Sequence, residues 1–446
     1  MSNTRSQFSS RLGFILAAAG SAIGLGNIWG FPTQTASNGG AAFLLVYVFM
    51  IFILAYPMLI AELTIGRYGE ANPIRSLRKT WVKHKTLAAS IGLVGIGAAS
   101  AILSFYAIIA GWLIGFLFAP IFDLMGMTSV AHWLESFSIA RNILLMLVFM
   151  SLTMYVVSHG VANGIEKWST RLMPMLFILL ILMIIYILFQ DGAEKGLEMY
   201  LIPDFSKINP KLIISAMGQA FFSLSLGVCV MMIYGSYLKK EVSLPKTALL
   251  VALLDTGVAF LAGLLILPAM FVAEHNGVQI YDATGHLLSS DTLVFTVLPA
   301  MFDTMGNMGI VISILFFLLM IIAALTSSIS MIEAPVATIS EQFKQNRNKS
   351  VMGMGIAITL FSILIIYHFD FLFGLVVMLT TEYAQPLTSL AFALIVGWAW
   401  HQDKLLTEIK QGHEHIEKGL FWKIWPWYVR IVCPVLIGLV FANQFL

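Results

Sequence analysis

Apolar runs of about twenty residues, the length that crosses a bilayer as a helix, recur from one end of this chain to the other. No other feature limits the fold as much. In hydrocarbon each unpaired backbone N–H or C=O costs several kcal/mol, so a spanning segment must be a helix or part of a closed barrel. Runs this long, without a period-two alternation, are helices. Their spacing predicts eleven transmembrane helices, at 12–36, 41–66, 87–121, 140–157, 166–189, 213–238, 246–272, 306–341, 350–367, 370–399 and 426–445, with a short helix at 293–302 in a loop. Only 11% of the 446 residues are charged and 59% are hydrophobic, which excludes an ordinary soluble domain. The expected class is an all-α polytopic membrane protein. Arg5 and Arg11 ahead of an Ala-rich run imitate a secretory signal, but the run continues past any cleavage point to Asn27 and reads as the first span. Cys229 and Cys433 sit inside apolar runs. They read as small packing residues rather than a disulfide or a metal pair.

The few charges are unevenly placed. Linker 67–86 carries Arg67, Arg75, Arg78, Lys79, Lys83 and Lys85, and linker 239–246 carries Lys239, Lys240 and Lys246. Linker 342–349 has Lys344, Arg347 and Lys349, and 400–425 has Lys404, Lys410, Lys418 and Lys423. The alternate linkers are poor in Lys and Arg; 273–305 has neither, but has Glu274, Asp282, Asp291 and Asp303. Lys and Arg collect on the cytoplasmic side, so the N-terminus is expected inside and Leu446, after eleven spans, outside. Loop 190–212, with Lys195, Lys207 and Lys211 among Asp191, Glu194, Glu198 and Asp204, fits this alternation least.

Two of the spans carry residues that interrupt a helix. The first contains Gly20, Gly24, Gly26 and Gly30, with Asn27 in its middle and Pro32 at its end. Glycine lowers the cost of leaving the helix, and a break at membrane depth must face something polar rather than lipid. Released carbonyls plus one amide suit a small hard cation; a tight packing face of small residues is the other reading. The sixth span has Ser223, Ser225 and Gly227 near its middle. It opens a second group of five spans as the Asn27 stretch opens the first. Five is odd, so the two groups insert in opposite senses, the inverted repeat of many secondary transporters. The expected division is 1–190 and 191–400 for the two repeats and 401–446 for a linker with the eleventh helix. No residue-level repeat is visible between the halves.

The stretches RLGFILAAAGSAIGLGNIWGFP, AFFSLSLG and AALTSSIS, with Gly164 and Pro174 in GIEKWSTRLMP, resemble those of bacterial members of the neurotransmitter:sodium symporter family, which has the leucine-transporter fold. The resemblance covers nearly the whole chain, without the family's usual twelfth helix. It implies one sodium ion between the carbonyls of Gly20, Ile23 and Ala323 and the hydroxyls of Thr326 and Ser327. A second would use the Ala22 carbonyl, Asn27, Ser223 and Asp255. Here an aspartate stands where the family commonly has asparagine, near Tyr47 and Gln219. An acid inside a span is a functional candidate by default, and relatives that need chloride lack a fixed charge in this neighbourhood, so chloride independence is expected. The substrate would lie against Ala22, Leu25, Gly26, Ile102, Tyr106, Phe222, Ser223, Ser225, Val228, Ser327 and Met331. Its carboxylate would meet backbone N–H groups at Leu25 and Gly26 and the Tyr106 hydroxyl. This lining has no charge, and Val228 replaces a phenylalanine of the leucine transporter, which predicts a hydrophobic L-amino acid, large or aromatic ones included. Glu62 would support the unwound sixth span. The inner gate implied is Arg5 with Glu341 near Tyr237, with Phe8 at a family tryptophan position. Gly164 and Pro174 would loosen the fifth span. Outside, Gly30 replaces the usual arginine opposite Asp370, which leaves Phe222 over Tyr106 as the lid.

The function expected is sodium-coupled import by alternating access at the plasma (inner) membrane. Moving one charge through the field yields roughly 2.3 kcal/mol per 100 mV, whereas a zwitterion alone yields none. The competing readings are a proton-coupled amino-acid permease and a non-transporting sensor or channel on the same scaffold. No nucleophile–base pair, metal-ligand cluster or phosphate loop points to an enzyme.

Overall fold

The computed structural model describes residues 6–281, 293–413 and 415–442. Arg5, Asp282, Asp291 and Leu446 lie outside them. Every regular element among the described residues is a helix. Eight helices are long and apolar enough to cross a membrane, and Arg11–Ala22 with Gly26–Ser37, bent by 53°, forms a ninth span. The other two predicted positions hold Pro210–Ser223 followed by Val230–Gly235, and a helical stretch from Phe369–Val377 to Ile395–Ala399. The spans follow the predicted order, with ends displaced by a few residues: 87–121 is Val82–Leu124, and 426–445 begins earlier, as Leu420–Ala442. The short loop helix is Leu293–Thr304.

Among the described residues seven helical stretches open into a wide, five-residue-bonded turn, and five of these precede a proline. Those five lie at Gly26–Gly30, Ile51–Ala55, Leu293–Val297, Met378–Ala384 and Tyr428–Val432. A proline follows each two residues later: Pro32, Pro57, Pro299, Pro386 and Pro434. The cause is local. Proline has no N–H to donate and its ring crowds the carbonyl one turn back, so that turn opens.

Small residues set the closest helix contacts. A Cβ on Gly66 would run into the Met232 carbonyl, and one on Gly235 would lie 2.5 Å from the Leu63 carbonyl. The second and sixth spans therefore touch backbone to backbone. Near the basic linkers, buried charge is paired. At the end where the basic linkers gather, Arg67 is fully buried, its Nε 2.7 Å from Glu408 Oε1. Lys240 reaches the same carboxylate at 3.3 Å. This ties helix Gln402–Lys410 to the second span.

Candidate binding site between the two broken spans

The first helix stops at Ala22 because Ile23 is extended (φ −73°, ψ 103°). The chain turns at Gly24, and Asn27 caps that turn: its Oδ1 accepts from Gly24 N at 3.2 Å. Glycine is required at 24 and 26 by close approach. A Cβ on Gly24 would lie 2.5 Å from Ser327 Oγ and 2.8 Å from the Tyr106 hydroxyl; one on Gly26 would lie 2.8 Å from the Phe222 ring.

The sixth span breaks differently. Ser225, Gly227 and Cys229 all have positive φ, 50°, 81° and 61°. Two of the three are not glycine, so neighbours must hold them there. Glu62 Oε1 accepts from Gly227 N at 2.7 Å, Thr388 donates to the Gly227 carbonyl, and Ser225 Oγ donates to Ser21 O at 3.1 Å. Glu62 and Thr388 come from the second and tenth spans, so the break is built by the whole bundle.

Beside the first break lies a buried polar cluster. Asn27 Nδ2 donates to Ser223 Oγ (2.9 Å) and to Asp255 Oδ1 (2.7 Å). Ser223 Oγ is 2.8 Å from Asp255 Oδ2, and the Tyr47 hydroxyl donates to Ser223 at 3.2 Å. Gln219 Nε2 closes the cluster on the Gly26 carbonyl at 2.8 Å. Asp255 is fully buried, and among the described residues no Arg or Lys pairs with it. A carboxylate held only by neutral donors in a span favours a cation.

A second set of oxygens converges where the eighth span faces the first break. Ser327 Oγ lies 3.3 Å from Gly20 O, 3.3 Å from Ser21 O and 3.2 Å from Ile23 O. Thr326 Oγ1 is 3.0 Å from Ala323 O, and the Gly20 backbone lies against Thr326. Of the hydroxyls in this helix, Ser330 does bond its own preceding turn, at 2.7 Å; Ser327 instead crosses to the first span. An all-oxygen set of this kind suits a hard cation.

Between the two sets is a narrow pocket of about 30 Å³ lined by Ser21, Ala22, Gly24, Leu25, Gly26, Ala99, Ile102, Tyr106, Phe222, Ser223, Ser225, Val228, Ser327, Met331 and Gln385. All eleven substrate candidates named from the sequence are in this lining. Ser21, Ala99, Gly24 and Gln385 were missed, and Ser21 is the most telling: its carbonyl receives both Ser225 and Ser327. Leu25 N–H is directed at the Tyr106 hydroxyl, 3.1 Å away. A bound carboxylate would therefore replace that contact rather than meet a bare N–H.

The vestibule end of the pocket differs from expectation, while the expected pairing of Arg5 with Glu341 falls outside the described residues. A vestibule of about 540 Å³ meets it at Leu25, Gly26, Tyr106, Phe222 and Gln385, and includes Trp29, Gly30 and Gln219. The acid on this vestibule is Glu382; Asp370 is exposed in the first turn of Phe369–Val377 and not part of the lining. At the basic end, the Tyr237 hydroxyl donates to Glu333 Oε1 at 2.6 Å, and Arg347 holds the same carboxylate with Nη1 at 3.1 Å and Nη2 at 2.5 Å. Glu341 accepts from Asn72 N and Nδ2 at 2.8 and 2.9 Å. Glu333 was not anticipated, although it is an acid inside the predicted span 306–341. Phe8 packs edge-on against Phe14, Tyr234 and Tyr237. Gly164 lies in the wide turn Val161–Glu166 and Pro174 within the helix that follows. Glu166, also unanticipated, accepts from Ser9 N and Ser9 Oγ, both at 2.7 Å, and from Ser10 Oγ at 3.0 Å.

Comparison with known proteins agrees with this geometry. The profile of the sodium:neurotransmitter symporter family matches residues 5–142 and 129–446. The sodium-dependent transporter YhdH of Bacillus subtilis is 35% identical over 98% of this chain and 97% of its own. The sodium- and chloride-dependent taurine transporter of Bos taurus is 28% identical over 75% of this chain and 60% of its own. The crystal structure of MhsT in complex with L-phenylalanine superposes with a TM-score of 0.86 at 36% identity, covering 99% of this chain and all of that one. A multi-pass helical bundle broken at two facing spans, matched from end to end by sodium-dependent transporters, is itself one of them: the chain belongs to the sodium:neurotransmitter symporter family.

Proposed function

We propose that the protein imports a hydrophobic L-amino acid, large or aromatic ones included, with two sodium ions and without chloride, by alternating access. One observation carries the substrate class. The pocket between the breaks has polar backbone and hydroxyls on one side, Ile102, Val228 and Met331 on the other, and no charged side chain. An α-carboxylate at Leu25 and Tyr106 and an amine at the Ser21 carbonyl would leave the side chain on the apolar wall. The L-phenylalanine in the related MhsT supports the same reading.

Two oxygen sets flank this pocket, hence two sodium ions: one at Gly20, Ile23, Ala323, Thr326 and Ser327, one at Ala22, Asn27, Ser223 and Asp255. The taurine relative is named for chloride as well as sodium. In this chain Asp255 would supply the negative charge that chloride supplies elsewhere. The repeats 1–190 and 191–400 would rock about the pocket, with the basic end and the N-terminus in the cytoplasm and the C-terminus outside the plasma (inner) membrane.

The test is uptake into proteoliposomes, with radiolabelled leucine competed by Trp, Leu or Glu. Trp and Leu should compete and Glu should not; preference for Glu defeats the substrate assignment. Replacement of sodium by choline should abolish uptake; if a proton gradient alone sustains it, the proton-coupled reading replaces this one. Asp255→Ser should lower uptake in chloride-free buffer by at least tenfold, with recovery on adding chloride. Unchanged uptake by that variant refutes the chloride argument only.

A further inference from the structure

Far from the transport pocket, the basic end holds a cavity of about 910 Å³ between the linker from the second to the third span and the end of the tenth. Its chemistry is two-sided. Lys79, Lys83 and Lys404 line it, with His84 and His401, and its lining contains no Asp or Glu. Lys79 is anchored, its Nζ 2.7 Å from the Tyr68 carbonyl and 4.7 Å from the Tyr68 ring centre. Lys83 and Lys404 form no ion pair among the described residues. The other side is apolar and open: Leu87 is 52% exposed, Leu394 43% and Trp398 60%. Leu87 lies at the start of the third span, and Leu394 and Trp398 lie near the end of the tenth.

A further group in the lining lacks a partner. Trp400 is only 3% exposed, and its indole N–H is buried with no acceptor among the described residues. A buried donor left unpaired costs about 1–3 kcal/mol. A ligand that brings oxygen atoms would remove that cost. Cations at a membrane surface attract anionic lipid, and tryptophan favours the interface between headgroups and chains. A free anion would use the lysines but leave the exposed apolar side uncovered.

We propose that this cavity binds one anionic phospholipid of the cytoplasmic leaflet, its phosphate between Lys79, Lys83 and Lys404 and its acyl chains over Leu87, Leu394 and Trp398. Only the choice of leaflet rests on the orientation proposed above. The lipid bridges the start of the third span to the end of the tenth.

Native mass spectrometry of the purified full-length protein in detergent tests this. Phosphatidylglycerol and phosphatidylcholine are titrated separately, then phosphatidylglycerol with millimolar inorganic phosphate. The protein should retain one phosphatidylglycerol at least tenfold more tightly than phosphatidylcholine, and phosphate should not displace it. Lys83→Gln with Lys404→Gln should weaken binding about thirtyfold, from two charges near a surface, whereas Lys83→Arg with Lys404→Arg should keep it. Trp400→Phe, which removes the N–H and little else, should weaken it several-fold. Equal retention of the two lipids, unchanged binding by the double glutamine variant, or full displacement by inorganic phosphate each overturns the proposal. Sodium-dependent substrate binding, measured on the same samples, reports whether each variant is folded and is independent of the lipid result.

Discussion

Towards the vestibule, the pocket is bounded by the rings of Phe222 and Tyr106 and by the backbone at Leu25 and Gly26. Towards the basic end it is bounded by Arg347 on Glu333, Tyr237 on the same acid, Phe8 among three aromatic rings, and Glu166 on Ser9 and Ser10. The first boundary is a side chain over a cavity, and a rotamer change opens it. The second joins the N-terminal segment, the fifth, sixth and eighth spans and the linker after the eighth. It opens only if whole spans move. If the pocket faces two sides in turn, as proposed above, the thin side would respond to a ligand cheaply, while the thick side would respond to events that shift spans, such as a cation entering between the first and eighth.

Breaking the thick side should have the largest effect. Arg347→Ala leaves Glu333 buried with a single hydroxyl partner, and removing one member of a buried pair costs about 3–5 kcal/mol. Sodium-driven uptake should fall by well over tenfold. A cysteine introduced by Phe8→Cys should then label rapidly from the basic side, since Cys229 and Cys433 are both buried. Uptake and labelling like those of the parent would show that this pair does not hold the basic end. Glu333→Gln added to Arg347→Ala should recover part of the loss.

Next in size is the thin side. Phe222→Ala removes ring burial worth about 1.5–3 kcal/mol, so equilibrium substrate binding should weaken roughly ten- to hundredfold. Labelling at the basic end should stay as it was; if it rises, the two ends are not closed independently.

Glu166→Gln is a milder cut. It keeps the shape but exchanges charge-assisted bonds to Ser9 and Ser10 for neutral ones, a difference of about 1 kcal/mol. Labelling at Phe8→Cys should rise only a few-fold, and binding at the vestibule side should not change.

The smallest effect concerns the end opposite the basic one, where acids face each other instead of bases. Burial, with Asp303 and Asp123 adding to it, raises the Glu135 carboxyl above its ordinary value, and burial with Asp123 likewise raises Asp303. A raised folded-state pKa means that this contribution to stability is complete at low pH and is lost as pH rises from the ordinary carboxylate range through the folded value. Hydrogen exchange in Leu293–Thr304 should therefore quicken modestly across that interval, and Glu135→Gln should flatten the change. Exchange that slows with rising pH, after correction for the intrinsic rate, contradicts the assignment.

How much of this was legible beforehand follows a physical rule. Spans were legible because bilayer thickness fixes helix length and the hydropathy of each run reports it. Asp255 stood out because a charge within an apolar run is rare. The two breaks stood out because glycine and serine are poor choices for a span interior. Glu333 bore the same mark as Asp255 and was overlooked, whereas Glu166 and Ser21 carried none: a glutamate near a helix end and a serine in a run of small residues are ordinary in sequence. The partners of the three lie 14, 157 and 204 residues away, beyond any local pattern. Asp370 was legible as an acid at a span end, but its direction was not, and the vestibule acid is Glu382.

The chain by itself determined that it crosses the bilayer many times, which spans are interrupted and which polar residues lie at those interruptions, because the cost of placing backbone and charge in hydrocarbon is paid locally, residue by residue. Only the tertiary structure decided which oxygens meet, that Ser225 and Cys229 hold left-handed backbone, and that one end is latched by ion pairs while the other rests on a ring. Those outcomes depend on groups far apart in sequence approaching within about 3 Å, a distance that packing of the whole bundle sets and no single segment encodes.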